Sequence, residues 1–267
     1  LNLDALLAVP VSLVLGDTLE GELAGEKIAL LEAIGQLNNR VKIFYQRGNI
    51  HVPREFNRLF ALLEPMLVPI IPVGDGVQAA FSSFHPKIWI LRYVKKATKA
   101  ARHGQSVRYR LIVMSRNLTF DRSWDISACL DGVLNDAARD SDPLTAFVGS
   151  LAGHAGEFAP LRSMLKELPR VQWDAPSPFR DPIMLPGGGA HIANPAERFA
   201  SPIQFGKSVD DLLVVSPFLD SSEQKAIHWL GAKTEGRRYL LSRVEELNAI
   251  GAQALEGWDC YSLNDKV

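Results

Sequence analysis

The fold turns on one stretch, Phe84-His85-Pro86-Lys87-Ile88-Trp89-Ile90-Leu91. A histidine and a lysine stand two apart at the head of an apolar run. In a strand, residues i and i+2 point to the same face. The spacing therefore predicts an imidazole beside an ammonium. A second apolar run, Arg110-Leu111-Ile112-Val113-Met114, leads into Ser115-Arg116-Asn117-Leu118-Thr119. Ser115, Asn117 and Thr119 alternate in the same way, which predicts one polar face. Arg116 falls on the opposite face by this count and is set apart from the catalytic residues. If the two strands pair, a nucleophile or base, a cation and neutral hydrogen-bonding groups meet at one place. That set suits an anion with a reactive centre, and a phosphodiester is the obvious candidate.

Charge patterning around this stretch supports a polyanionic partner. Over the whole chain of 267 residues, 29 Lys and Arg offset 30 Asp and Glu, so the average is uninformative. The distribution is uneven. Residues 76–120 hold no Asp or Glu, yet carry Lys87, Arg92, Lys95, Lys96, Lys99, Arg102, Arg108, Arg110 and Arg116. An acid-free basic segment beside a candidate site is what a nucleic acid requires. The bland alternative, a solvated hairpin tip, accounts for Lys95 to Arg102 alone. Arg92, Lys95, Lys96, Lys99, Arg108 and Arg110 are the expected nucleic-acid contacts.

Composition is that of an ordinary globular protein, with 47% hydrophobic and 22% charged residues. No apolar run approaches the roughly 20 residues that span a bilayer, so no membrane partner is expected. Leu1-Asn2-Leu3-Asp4 lacks both the basic start of a signal peptide and an initiator Met, which predicts a true N-terminus further upstream. Cys129 and Cys260 lie in strand-like runs and are expected as buried thiols in a reducing cytoplasm. No zinc spacing is present, and neither metal nor cofactor is expected. Trp89 and Trp124 are expected in the core.

Taken in order, the chain alternates strands and helices. Val11–Leu15 reads as a strand and Glu26–Gln36 as a helix. Val41–Tyr45 is a strand, and a helix opens at Pro53 with Phe56, Leu59, Phe60 and Leu63 as its apolar stripe. Leu67–Val73 is a third strand. The His85 and Arg110 strands follow, then Asp125–Leu130. Helices are expected at 143–152 and 159–168, an irregular stretch at 173–182 and a glycine loop at 186–191. Alternation then resumes: strand 212–217, helix to about Leu230, strand 238–242, helix 244–255, strand 258–263. This order predicts an α/β fold with a mostly parallel sheet flanked by helices, and an antiparallel section among the later strands.

His85-x-Lys87 heading one strand and Ser115-x-Asn117-Leu118-Thr119 closing the next, with a carboxylate after it at Asp125, resembles the phospholipase D superfamily. The nuclease and tyrosyl-DNA phosphodiesterase branches are the most similar. The Lys87-to-Asn117 interval is longer than the family's, because the segment from Val94 to Gln105 reads as an insertion. The resemblance implies a sandwich of two pseudo-repeated lobes. Residues 1–140 would be the first lobe, 141–205 a linker with helices and proline- and glycine-rich loops, and 206–267 the start of a second lobe. Its own His-x-Lys motif would lie beyond Val267, or the site would be completed by another subunit, as in a homodimer.

The resemblance also implies a mechanism. His85 would attack phosphorus, forming a phosphohistidine and dividing one displacement into two. Lys87, Asn117 and Ser115 would stabilise the non-bridging oxygens, and Asp125 would orient the imidazole. No metal is needed in that family. DNA is the expected substrate, in bacterial repair or defence. Two rivals stand beside this reading. One is a phospholipid phosphodiesterase, which predicts an interfacial apolar surface. The other is a nucleic-acid-binding module of the same fold with a defunct site, which predicts salt-dependent binding without cleavage.

Overall fold

A computed structural model of the chain describes residues 2–3, 5–7, 9, 31–32, 34–51, 58–72, 83–95, 107–118, 126–135, 143–177, 209–219 and 225–262. The expected strand at 11–15, the glycine loop at 186–191, Trp124, Thr119, Asp125, Lys96 and Lys99 lie outside the described residues. The protein divides into two units, Leu1–Ala200 and Ser201–Val267. Both mix strands and helices, so the α/β class holds.

In the first unit, β1 (Ile43–Gln46) and β2 (Leu67–Ile70) pair in parallel. A parallel pair needs a crossover connection, and the described end of that crossover is a helix over Arg58–Met66. It is a 3₁₀ helix rather than the expected α-helix. Pro65 lies inside it and offers no N–H to an α-helical ladder. Of its expected apolar stripe, Phe56 lies outside the described residues, and Leu59, Phe60 and Leu63 face the core. Leu63 and Met66 are buried with Leu3, Leu6, Leu7, Ile34 and Leu37, and Leu59 and Phe60 pack against them.

Four strands form the larger sheet, in the order β3 (Ile88–Val94), β4 (Val107–Met114), β5 (Ser127–Leu134), β6 (Val171–Asp174). All three of its pairings are antiparallel. The parallel pairing expected for most of the sheet is absent from these four strands, which form the antiparallel section expected among the later strands. Strand β6 itself falls where an irregular stretch was expected from Trp173 on. Val171 and Trp173 are both buried, and they alternate with Gln172 and Asp174 in the pattern of a half-buried strand.

That alternation divides the sheet into two faces. Ile88, Ile90, Tyr109, Leu111, Leu130, Val171 and Trp173 face inward onto α1 (Pro143–Ala155) and α2 (Ala159–Glu167). Helix α1 buries Leu144, Val148, Leu151 and Ala155, one helical stripe. Gly156, at φ 63°, ends it in the left-handed conformation that glycine adopts without penalty. Residues 143–174, in the stretch expected as a linker with helices, therefore supply two helices and an edge strand to the first unit's main core. Gly132 makes the close approach of β5 and β6 possible. A Cβ there would lie 2.5 Å from Val171 Cγ1 and 2.9 Å from Trp173 Cε3.

The second unit is a three-stranded parallel sheet in the order β7 (Leu212–Val215), β8 (Arg238–Ser242), β9 (Asp259–Ser262). Helix α3 (Lys225–Ala232) joins the first two strands and α4 (Val244–Ile250) the last two. Ile227, Leu240, Ile250, Ala254 and Trp258 form its core. Element order and parallel pairing are as expected. The two cysteines are not: Cys129 and Cys260 are both free and exposed. Each occupies a strand, but strand position alone does not decide which residues are covered. Among the described residues no helix is long and apolar enough to cross a membrane.

Candidate active site

Proline chemistry sets up the His85 segment. The residue before a proline is driven out of the helical region, and His85 is non-helical. Strand β3 begins only at Ile88, so His85 and Lys87 lie just before it rather than in it. The antiparallel ladder is nevertheless continued by one bond, as the Met114 amide donates to Lys87 O at 2.9 Å. The extended course explains why the two-residue spacing still brings the side chains together. Lys87 Nζ lies 3.1 Å from His85 Nδ1.

The other half comes from the end of β4. Asn117 Oδ1 lies 2.9 Å from His85 Nε2. Strand pairing accounts for the meeting: Ile88 is opposite Val113, which sets the two strand ends side by side. Beyond Met114 the backbone is no longer a strand, so alternation does not govern 115–118. Two consequences follow. Ser115, expected to face the phosphate with Asn117, uses Oγ to accept the Ile126 amide at 3.1 Å, while its own amide donates to Ile126 O at 2.9 Å. Arg116, set apart by the count of faces, lines the same pocket as His85, Lys87 and Asn117. Only the loss of strand geometry after Met114 could have signalled it.

Contacts on both ring nitrogens fix the tautomer. A charged lysine has donors and no acceptor, so Nδ1 of His85 accepts. The neutral ring then carries its proton on Nε2, which donates to Asn117 Oδ1. Turning the Asn117 amide over would aim an N–H at Nε2 and leave both ring nitrogens accepting, which a neutral imidazole cannot do. Lysine, imidazole and amide thus form one directed chain of hydrogen bonds.

The pocket has a volume of about 360 Å³ and is lined also by Tyr45, Gln46 and Asn49 of the β1 region and by Trp89. None of the β1 residues was singled out in the sequence, because nothing local marks them. Gln46 Oε1 accepts the Phe84 amide at 2.8 Å, tying the His85 segment to β1. The first residues hold the other side. Asn2 Oδ1 accepts the Ala5 amide at 3.1 Å in the manner of a helix cap, and the Asn2 amide donates to Leu118 O at 3.4 Å. Leu118 packs against the buried cluster around Leu6.

The expected nucleic-acid contacts separate into two groups. Arg92 lies on the inner face of β3, where Nε and Nη2 each reach Glu167 at 2.7 Å. Tyr109 Oη donates to the same carboxylate at 2.5 Å. The Arg92 hydrogen bond holds the Glu167 carboxyl below the usual carboxylate range, and burial pushes the Tyr109 phenol up. Arg92 therefore anchors α2 to the sheet and is removed from the exposed basic surface. Lys95 and Arg108 are exposed. Arg110 is half-exposed and paired through Nε to Asp131 at 2.7 Å and through Nη2 at 3.0 Å. Trp89, expected in the core, is only half-buried.

Among the described residues no group of three or more His, Cys, Asp or Glu side chains is gathered closely enough to hold a metal ion. No family model matches the chain, and neither a curated protein nor a solved structure is significantly similar to it.

Proposed function

We propose that the protein is a metal-independent phosphodiesterase of phospholipase D type acting on nucleic acid, with His85 as its covalent nucleophile. One observation carries this reading: His85 is held between Lys87 Nζ at 3.1 Å and Asn117 Oδ1 at 2.9 Å, at an open pocket. A phosphate entering there takes over both contacts. Lys87 turns its ammonium to one non-bridging oxygen, and Asn117 rotates its amide so that Nδ2 donates to another. The imidazole nitrogen that accepted from Lys87 is thereby released, and an unprotonated nitrogen is what attack on phosphorus requires. Phosphorus gains the bond to nitrogen as it loses the bond to the leaving oxygen; water then attacks phosphorus, the P–N bond breaks, and the imidazole is freed as the phosphate product leaves. Donors placed where charge develops supply most of such a barrier reduction.

The leaving oxygen needs a general acid. This reading assigns it to a second half-site, supplied by another copy of the chain. The parallel β1–β2 pair and the parallel β7–β8–β9 sheet support two lobes built on one plan. Free, exposed Cys129 and Cys260 suit a reducing cytoplasm. The test is hydrolysis of bis(4-nitrophenyl) phosphate and labelled DNA in EDTA, for the wild type and His85→Ala. EDTA-resistant turnover that disappears with His85→Ala is the expected result. DNA binding with no turnover of either substrate would replace the enzyme by a binding module of the same fold.

A further inference from the structure

We infer that the outer face of the β3–β4 pair is a stacking platform for single-stranded nucleic acid, leading to the His85 pocket. The occupant's direction rests on the phosphodiesterase reading; the platform does not. By alternation, Trp89, Leu91 and Tyr93 of β3 share the face turned away from α1 and α2, as do Arg108, Arg110 and Ile112 of β4. Register pairs them across the strands: Trp89 with Ile112, Leu91 with Arg110, Tyr93 with Arg108. Each cation thus stands beside an apolar or aromatic side chain. Tyr93 is 49% exposed, a large fraction for an aromatic ring in a four-stranded sheet.

The chemistry of this face selects its partner. Proteins that hold single strands combine backbone-tracking cations with aromatic rings on which bases stack. In a duplex the base faces are already stacked on one another, so Tyr93 gains nothing from it. Acidic side chains lie on the other half of the sheet, at Asp131 and Asp174. Asp131 also holds Arg110 through Nε and Nη2, and a guanidinium has further N–H donors to offer a phosphate. The track is therefore confined to β3 and β4. It is continuous with the site, because Trp89 lines the pocket that contains His85 and Lys87. From Tyr93 to Lys87 the path is about 20 Å, at the usual rise of a strand.

The experiment is fluorescence anisotropy with a labelled 12-nucleotide single strand and the matching duplex. It is run on the His85→Ala chain so that no cleavage intervenes, and again with Tyr93→Ala, Tyr93→Phe or Arg108→Ala added. Tyr93→Ala is expected to weaken single-strand binding about tenfold and to leave duplex binding alone, whereas Tyr93→Phe keeps the ring and the affinity. Arg108→Ala is expected to reduce the slope of log affinity against log salt by about 0.7, one phosphate contact on a single strand. Single-strand binding indifferent to Tyr93, or preference for anionic lipid vesicles over the oligonucleotide, would overturn the platform. Failure of the enzyme reading looks different. There the wild type hydrolyses no diester while oligonucleotide binding still depends on Tyr93.

Discussion

His85 and Asn117 are 32 residues apart in sequence and their side chains meet at 2.9 Å. Antiparallel pairing of β3 and β4 brings them together, and Lys87, on the opposite ring nitrogen at 3.1 Å, makes the contact directional. Under the proposed mechanism, Lys87→Met and Asn117→Ala would each remove one donor to the phosphate. Each is expected to lower kcat about 10²–10³-fold, with a smaller change in KM, as loss of a single oxyanion donor does. Steady-state kinetics on bis(4-nitrophenyl) phosphate separates the two parameters. An effect confined to KM would assign these residues to ground-state binding.

Tautomer preference gives a test that needs no turnover. Lys87 donates to Nδ1, so the neutral His85 ring should carry its proton on Nε2. Long-range ¹⁵N–¹H correlation spectra of ¹⁵N-histidine protein report this from the two nitrogen shifts. Wild type is expected to show a protonated Nε2 and an unprotonated Nδ1, and Lys87→Met a mixture of both tautomers. A wild-type ring protonated on Nδ1 would contradict the hydrogen-bond chain.

How much of this was legible in the sequence follows from how local each signal is. His85 and Lys87 are two apart, and Pro86 holds the chain extended, so their contact could be read directly. Arg92 could have been read as well. It continues the inward series Ile88, Ile90, and its partner Glu167 closes α2. Asn117 is marked by its motif, yet strand alternation does not join it to Ser115, since the strand stops at Met114. The β1 residues Tyr45, Gln46 and Asn49 were invisible because tertiary packing alone carries them to the pocket. Strand β6 was missed because it is four residues long and precedes a proline-rich stretch, so alternation had little length in which to show.

Gly132 offers a packing test away from the site. Its missing side chain is the space that Val171 and Trp173 fill. Gly132→Ala forces β6 outward or turns Trp173 from its place in the core. Overpacking of this kind costs about 1–3 kcal/mol, which outweighs the gain that alanine brings by restricting the unfolded chain. Urea denaturation followed by intrinsic fluorescence should show a lower midpoint with little change in slope. An unchanged midpoint would mean that β5 and β6 are more loosely joined than these distances imply.

Glu167 links stability to acidity. Its carboxyl is held below the usual carboxylate range, first by the Arg92 hydrogen bond and also by that of Tyr109, against a burial effect that raises it. A group whose folded value is depressed binds fewer protons in the folded state than in the unfolded one. Its contribution is present above the ordinary carboxylate value, near pH 4.5, and is lost as pH falls through the depressed value. Glu167→Gln keeps the shape and removes the charge. At pH 7 the variant is expected to be less stable by about 1–2 kcal/mol, in line with hydrogen bonds to a charged group. The gap should narrow steadily from about pH 5 downward, as the wild-type carboxylate takes up its proton. Urea midpoints measured from pH 7 to pH 3 follow this directly. A gap that stays constant across that range would show that Glu167 contributes through shape and neutral hydrogen bonding, with no part played by its charge.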